Sequence, residues 1–103
     1  MAEPKDPLQS IMDLDRLVHE PARLVILTAL SEAESAEFLF LEKLTGLTRG
    51  NLSAQCQKLE AAGSLQIDKS FRGRRPVTTM RITPEGRQAI QEYRIKLKEL
   101  LNR

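Results

Sequence analysis

The chain has 103 residues, 41% of them hydrophobic and 29% charged, which sets a single domain (1–103) with a real but modest core. One cysteine excludes an internal disulfide, and with a single histidine it excludes a multi-Cys/His zinc or arsenic-type sensor site within one chain. The formal charge of +2 hides an asymmetry: residues 1–47 carry four Lys/Arg against nine acids, a balance of −5, whereas residues 48–103 carry twelve against five, a balance of +7.

A chain that changes sign midway has a basic working half, suited to an anionic partner. Glu3, Pro4, Lys5, Asp6 and Pro7 contain no apolar run of signal-peptide type, and residues 1–6 are expected to be disordered. The longest apolar stretch, Leu24–Leu27 with Ala29 and Leu30 beyond Thr28, is too short to span a bilayer. A cytoplasmic protein without membrane contact is the expectation.

Asp6-Pro7-Leu8-Gln9 reads as a helix start, with Asp6 as cap and Pro7 at the first helical position. Leu8, Ile11, Met12, Leu14, Leu17 and Val18 would give that first helix an apolar face running to about His19. Pro21 opens a second helix in the same way. From Leu24 to Leu30 it is apolar nearly all round, which places it at the centre of the core. Ser31–Glu37 is polar and acidic and reads as a loop. Phe38, Leu41 and Leu44 have the spacing of a short helix over 39–45, with Phe38 on a short strand before it. Phe40 falls off that stripe and is expected at the surface or in a second contact.

Residues 44–63 read as helix end, tight turn and second helix. Gly46 takes the positive φ that closes the first helix, and Thr48 caps the next one. Leu52, Cys56, Leu59 and Ala62 form one narrow apolar stripe. The opposite face, with Arg49, Asn51, Ser53, Gln57 and Lys58, offers donors and acceptors for base edges and cations for phosphate. Glu60 is the one acid between Thr48 and Gly63.

After Gly63 the period becomes alternating. Leu65, Ile67, Lys69 and Phe71 point one way along a strand, and Val77–Ile82 reads as its partner. The turn between them, Arg72-Gly73-Arg74-Arg75-Pro76, crowds three arginines at its tip, which an anionic surface such as DNA backbone or minor groove would relieve. Thr83-Pro84-Glu85-Gly86 restarts a helix over 84–102. Its Gly86, Ile90, Tyr93, Leu97 and Leu100 make a seam of about two heptads, suited to packing on the first helix or to a dimer contact.

This order of elements is that of a winged helix-turn-helix, mainly α with a small β-hairpin, an N-terminal helix and a long C-terminal helix. Pro21-Ala22-Arg23-Leu24-Val25-Ile26-Leu27 resembles the start of the buried helix in small repressors of the ArsR and MarR type. Phe38-Leu39-Phe40-Leu41, Gly46-Leu47-Thr48, Gly50-Asn51-Leu52-Ser53, Lys58-Leu59-Glu60-Ala61-Ala62-Gly63 and Ile82-Thr83-Pro84-Glu85-Gly86-Arg87 resemble a compact MarR-like family. The resemblance covers about residues 14–90. It implies a homodimeric, sequence-specific regulator of double-stranded DNA, acting as a repressor. Recognition-helix positions would be Thr48, Arg49, Gly50, Asn51, Ser53, Ala54, Gln57 and Lys58; the wing would be Arg72, Gly73, Arg74 and Arg75. Ala54 and Gln55 stand where relatives often carry Arg and His.

The expected dimer contact draws on Leu8, Ile11, Met12, Ile90, Tyr93, Leu97 and Leu100. No cofactor, metal or catalytic residue is expected, and no phosphate loop or nucleophile elbow is present. Cys56 is expected in the core, with a redox-sensing thiol as the alternative; a small-molecule effector is left open. The alternatives to a specific regulator are a winged-helix protein-interaction module and a non-specific architectural DNA binder. Tyr93 and three Phe offer no evident stacking platform for single strands.

Overall fold

Three side chains of one helix, Ile26, Leu27 and Leu30, have no exposed surface at all, and the rest of the chain is laid around them. Burial on this scale contributes about 1.5–3 kcal/mol per side chain. The computed structural model describes residues 8–102. That central helix, α1 (Pro21–Ala33), starts at Glu20, whose carboxylate accepts from the N–H groups of Ala22 and Arg23 at 3.2 and 2.8 Å. Pro21 sits where a missing N–H costs nothing.

Helix α1 runs on through Ser31–Ala33, where a loop was expected, and ends at Glu34. Glu34 has a φ of 67°, a conformation that favours glycine, and its carbonyl accepts from the Ile82 N–H at 3.0 Å. Ser35–Glu37 then forms a strand, β1, rather than loop. Three residues, two of them polar, are too few to display an alternating pattern, so pairing with the rest of the sheet defines the strand. Phe38 lies in the following helix, α2 (Phe38–Thr45), and not on the strand. Leu41 is buried there, while Phe40 and Leu44 are about half exposed.

Gly46, at a φ of 70°, closes α2, and the Thr48 hydroxyl accepts from the Asn51 N–H at 3.1 Å to open α3 (Arg49–Ala61). Leu52, Cys56 and Leu59 are buried beneath it. Ala62, expected on the same stripe, lies past the last helical turn and is exposed.

The hairpin that follows is longer and its turn tighter than the sequence suggests. Strands β2 (Leu65–Arg72) and β3 (Arg75–Ile82) pair antiparallel from Leu65↔Ile82 out to Arg72↔Arg75. Only Gly73 and Arg74 form the turn, and the φ of 67° at Gly73 gives the ribbon the twist-compatible bend that suits glycine first. The sheet order is β1-β3-β2, so β2 is an edge. Glu60 of α3 caps part of that edge by accepting from the Ile67 N–H at 3.2 Å.

Helix α4 (Pro84–Leu101) is capped by Thr83, which accepts from the Gly86 N–H at 3.0 Å and donates to the Gly63 carbonyl. Gly86 is buried because α4 starts against the backbone of Ser64: a Cβ at this position would come within 1.9 Å of the Ser64 oxygen.

The first helix is the expectation that fails. A 3-10 helix, Gln9–Asp13, takes its place, and the cap expected at Asp6-Pro7 lies outside the described residues, as do residues 1–6. Beyond it the chain keeps one helix-type bond, from the His19 N–H to the Asp15 carbonyl at 2.7 Å, within a turn that side chains fasten. The Asp15 carboxylate accepts from the Leu17 N–H at 2.8 Å, and the Arg23 guanidinium donates to the carbonyls of Leu17 and Arg16. Leu14 and Val18 turn into the core, whereas Leu8, Ile11 and Met12 stay about 50–75% exposed.

Candidate nucleic-acid interface

Helix α3 is held by its buried stripe so that Thr48, Arg49, Gly50, Asn51, Ala54, Gln57 and Lys58 are exposed and Ser53 is half buried. Asn51 and Gln57 are braced by neighbours one turn away. Gln55 Nε2 donates to Asn51 Oδ1 at 3.2 Å, Gln57 Nε2 donates to Ser53 Oγ at 3.4 Å, and Arg23 donates to Gln55 Oε1 at 2.8 Å. With its oxygen engaged, Asn51 is left to present its NH2 outward.

Gln55 and Arg23 are therefore positioning residues that the sequence reading missed. A Gln four residues after an Asn on one helix face was a readable signal for the first. For Arg23 there was none, because its partners come from a segment expected to be helical.

Among the described residues nothing beyond α3's own backbone and the immediate chain neighbours lies within 4 Å of where a Cβ on Gly50 would stand, so the opening turn of α3 is uncrowded. Arg49 Nε lies 3.3 Å from Glu42 Oε2, an ion pair that is three-quarters exposed on the arginine side. Lys58, near the helix C-terminus, is favoured there by the helix dipole.

On the hairpin, Arg72, Gly73, Arg74 and Arg75 are all exposed. The expected repulsion among three tip arginines is partly relieved inside the fold: Arg72 pairs with Glu37 at the end of β1. Arg74 and Arg75 have no ion-pair partner among the described residues. A cleft between the wing and the starts of α2 and α3 brings Arg49, Arg72 and Arg75 to one surface, and a second cleft places Ser53 and Gln57 of α3 beside Lys69 and Thr78 of the sheet. Two stretches some twenty residues apart in sequence thus form a single basic and polar face.

Of the residues expected at a dimer contact, Ile90 and Tyr93 are 1% and 4% exposed within the single chain, so they belong to its own core. A hydrogen bond of 2.8 Å joins Tyr93 Oη to His19 Nδ1, fastening the segment before α1 to α4. Leu97 and Leu100 are half buried, while Leu8, Ile11 and Met12 remain open. Burial pushes the Cys56 thiol up to about 11 and leaves it 1% exposed, which argues against a redox-sensing thiol. Among the described residues no group of three or more His, Cys, Asp or Glu could hold a metal ion, and no helix is long and apolar enough to cross a membrane.

A family model described as a winged helix DNA-binding domain matches residues 22–101. The chain belongs to that family. A protein from Pyrococcus horikoshii OT3, described as a transcriptional regulator homologue, superimposes with a TM-score of 0.85 at 28% identity, covering 95% of this chain and 96% of that one. The transcriptional regulator BldR from Sulfolobus solfataricus is 32% identical with a TM-score of 0.66; the alignment covers 93% of this chain and 64% of that one. An uncharacterised protein of Methanocaldococcus jannaschii is 33% identical over 85 residues, 82% of this chain and 92% of its own. The expected resemblance thus holds: the family is that of a winged helix DNA-binding domain, and the fold is shared with proteins described as transcriptional regulators.

Proposed function

We propose that the protein is a homodimeric, sequence-specific repressor that reads double-stranded DNA with α3 in the major groove and the wing on the flanking backbone or minor groove. One observation carries this reading: the fold gathers the polar face of α3 and the arginines of the wing onto one surface, with Arg49, Arg72 and Arg75 around a common cleft. Thr48, Arg49, Gly50 and Lys58 serve the backbone; Asn51, Ser53, Ala54 and Gln57 face the bases; Arg72, Gly73, Arg74 and Arg75 form the wing contact.

The dimer is built from the apolar surface left by Leu8, Ile11 and Met12 together with Leu97, Leu100 and Leu101 of α4. These two regions are neighbours, since Lys96 Nζ donates to the Asp13 carbonyl at 3.4 Å. Ile90 and Tyr93 support that surface from beneath. The site needs no cofactor, and an effector, if one exists, would bind near the dimer interface.

Selection of a random duplex pool at near-physiological salt, with sequencing of what is retained, tests this. An inverted repeat with half-sites about one helical turn apart is the expected result. With about four phosphates neutralised per protomer, log K falls with log salt at a slope of roughly −7. Retention without a motif would mean an architectural binder. A second reading, a protein-interaction module, is favoured by the open apolar groove of Leu24, Val25, Ala29 and Leu44 between α1 and α2, and absence of any retained duplex would support it.

A further inference from the structure

We propose that the outer half of the wing is an apolar wedge for the minor groove of duplex DNA, with Phe71 and Pro76 as its working face; this rests on the DNA-binding reading above. Phe71 is 75% exposed. A lone exposed phenylalanine would mean little. Its place in the register decides the matter.

The pairs Leu65↔Ile82, Ile67↔Met80, Lys69↔Thr78 and Phe71↔Pro76 share one face of the ribbon, because side chains alternate along each strand. The inner two of these pairs pack on the core, Lys69 and Thr78 line the cleft that also holds Ser53 and Gln57, and Phe71 opposite Pro76 continues the same face outward. The apolar pair therefore lies on the side of the wing that faces the recognition helix. The next pair, Arg72↔Arg75, closes the turn with its Cβ atoms on the alternate face, but both long side chains reach the cleft that Arg49 and Pro76 also line, and Gly73 leaves the tip slim.

An apolar pair ringed by Arg72, Arg74 and Arg75 requires a surface that is anionic at its rim and less polar within. The minor groove has that layout: phosphates line its edges, while sugar walls and base edges line its interior. Inserted arginine is favoured there, and apolar side chains that enter it partly unstack base steps. The wing enters tip first, with Phe71 and Pro76 toward the interior of the groove and Arg72 and Arg75 toward the phosphates at its rim.

The test uses the duplex selected by the wild-type protein, with 2-aminopurine placed at steps flanking each half-site. Phe71→Ala is expected to lose about tenfold in affinity, the scale of one aromatic–base contact, with an unchanged salt slope and without the fluorescence rise that marks unstacking. Phe71→Leu keeps most of both, and the thermal midpoint of the free protein does not move. Binding by Phe71→Ala within twofold of wild type, or with the same fluorescence rise, overturns the wedge while leaving DNA binding intact. A wild type that retains no duplex removes the DNA reading and the wedge with it. A change in sedimentation of free Phe71→Ala would assign the side chain to contact between copies and also overturn the proposal.

Discussion

The two ends of the hairpin share one ladder and one register, yet they do different work. At the base, Leu65, Met80 and Ile82 are at most 8% exposed and packed beneath α1 and α3. Four residues further out every side chain of β2 is open to solvent, and among the described residues the tip arginines reach no acid beyond Glu37. The base is fixed by burial, so its residues are set by folding; the tip adds almost nothing to the core, so its residues are free to be set by a partner. A strand pair can thus carry a scaffold and an instrument in succession, with the change occurring between Ile67 and Lys69.

That contrast can be broken hardest where the base meets α4. Gly86→Ala drives a methyl into the Ser64 carbonyl, and backbone on both sides leaves little room to yield. A loss of about 3 kcal/mol or more is expected in denaturant unfolding. Next comes Met80→Ala, which empties a fully buried site on the central strand and is expected to cost about 2–5 kcal/mol by the same measurement.

A milder break on the core side is Glu20→Ala, which removes the cap of α1 and is expected to cost about 1 kcal/mol. Partial burial pushes the Glu20 carboxyl up, but the N–H groups of Arg23 and Ala22 and the charges of Arg23 and Lys58 outweigh it and hold the group below its ordinary value of 4.5. The sign follows from that direction: the folded state favours the ionised form, so the contribution is complete above the unfolded value and is lost as pH falls through the lower, folded one. The wild-type and Glu20→Ala unfolding curves should therefore converge only in acid.

At the tip the effect on folding should be smallest. Arg74→Ala with Arg75→Ala is expected to change stability by no more than about 0.5 kcal/mol. The same pair should weaken DNA binding across all sequences and flatten the salt slope of a dimer by roughly 3 to 4 units. A stability loss equal to that of Met80→Ala would erase the distinction between base and tip.

Most of the middle of the fold was legible because its signals are local. Thr48 and Thr83 announce helix starts by their own chemistry, Gly46 and Gly73 announce the bends, and the shift to alternation after Gly63 announces the hairpin. What escaped depends on distant partners. β1 exists because Ser35, Ala36 and Glu37 find Arg81, Met80 and Thr79 some forty-five residues later, and no three-residue stretch displays that. The first helix gives way where the Asp15 carboxylate takes the Leu17 N–H, and the turn that replaces it is held by Arg23 through the Arg16 and Leu17 carbonyls. In the site, the two contact stretches were readable from charge and spacing, whereas the bracing of Asn51 through Gln55 to Arg23, and the open position of Phe71, needed the packed chain.

The ion pair between Arg72 and Glu37 gives the wing a built-in competitor. A phosphate that takes Arg72 must displace a carboxylate already there, so the contact is an exchange of one anion for another rather than a new attraction. Arg72 should then contribute less to affinity than Arg74 or Arg75. Because Glu37 is the residue just before α2, the exchange would also free the junction where the sheet hands over to the helix-turn-helix.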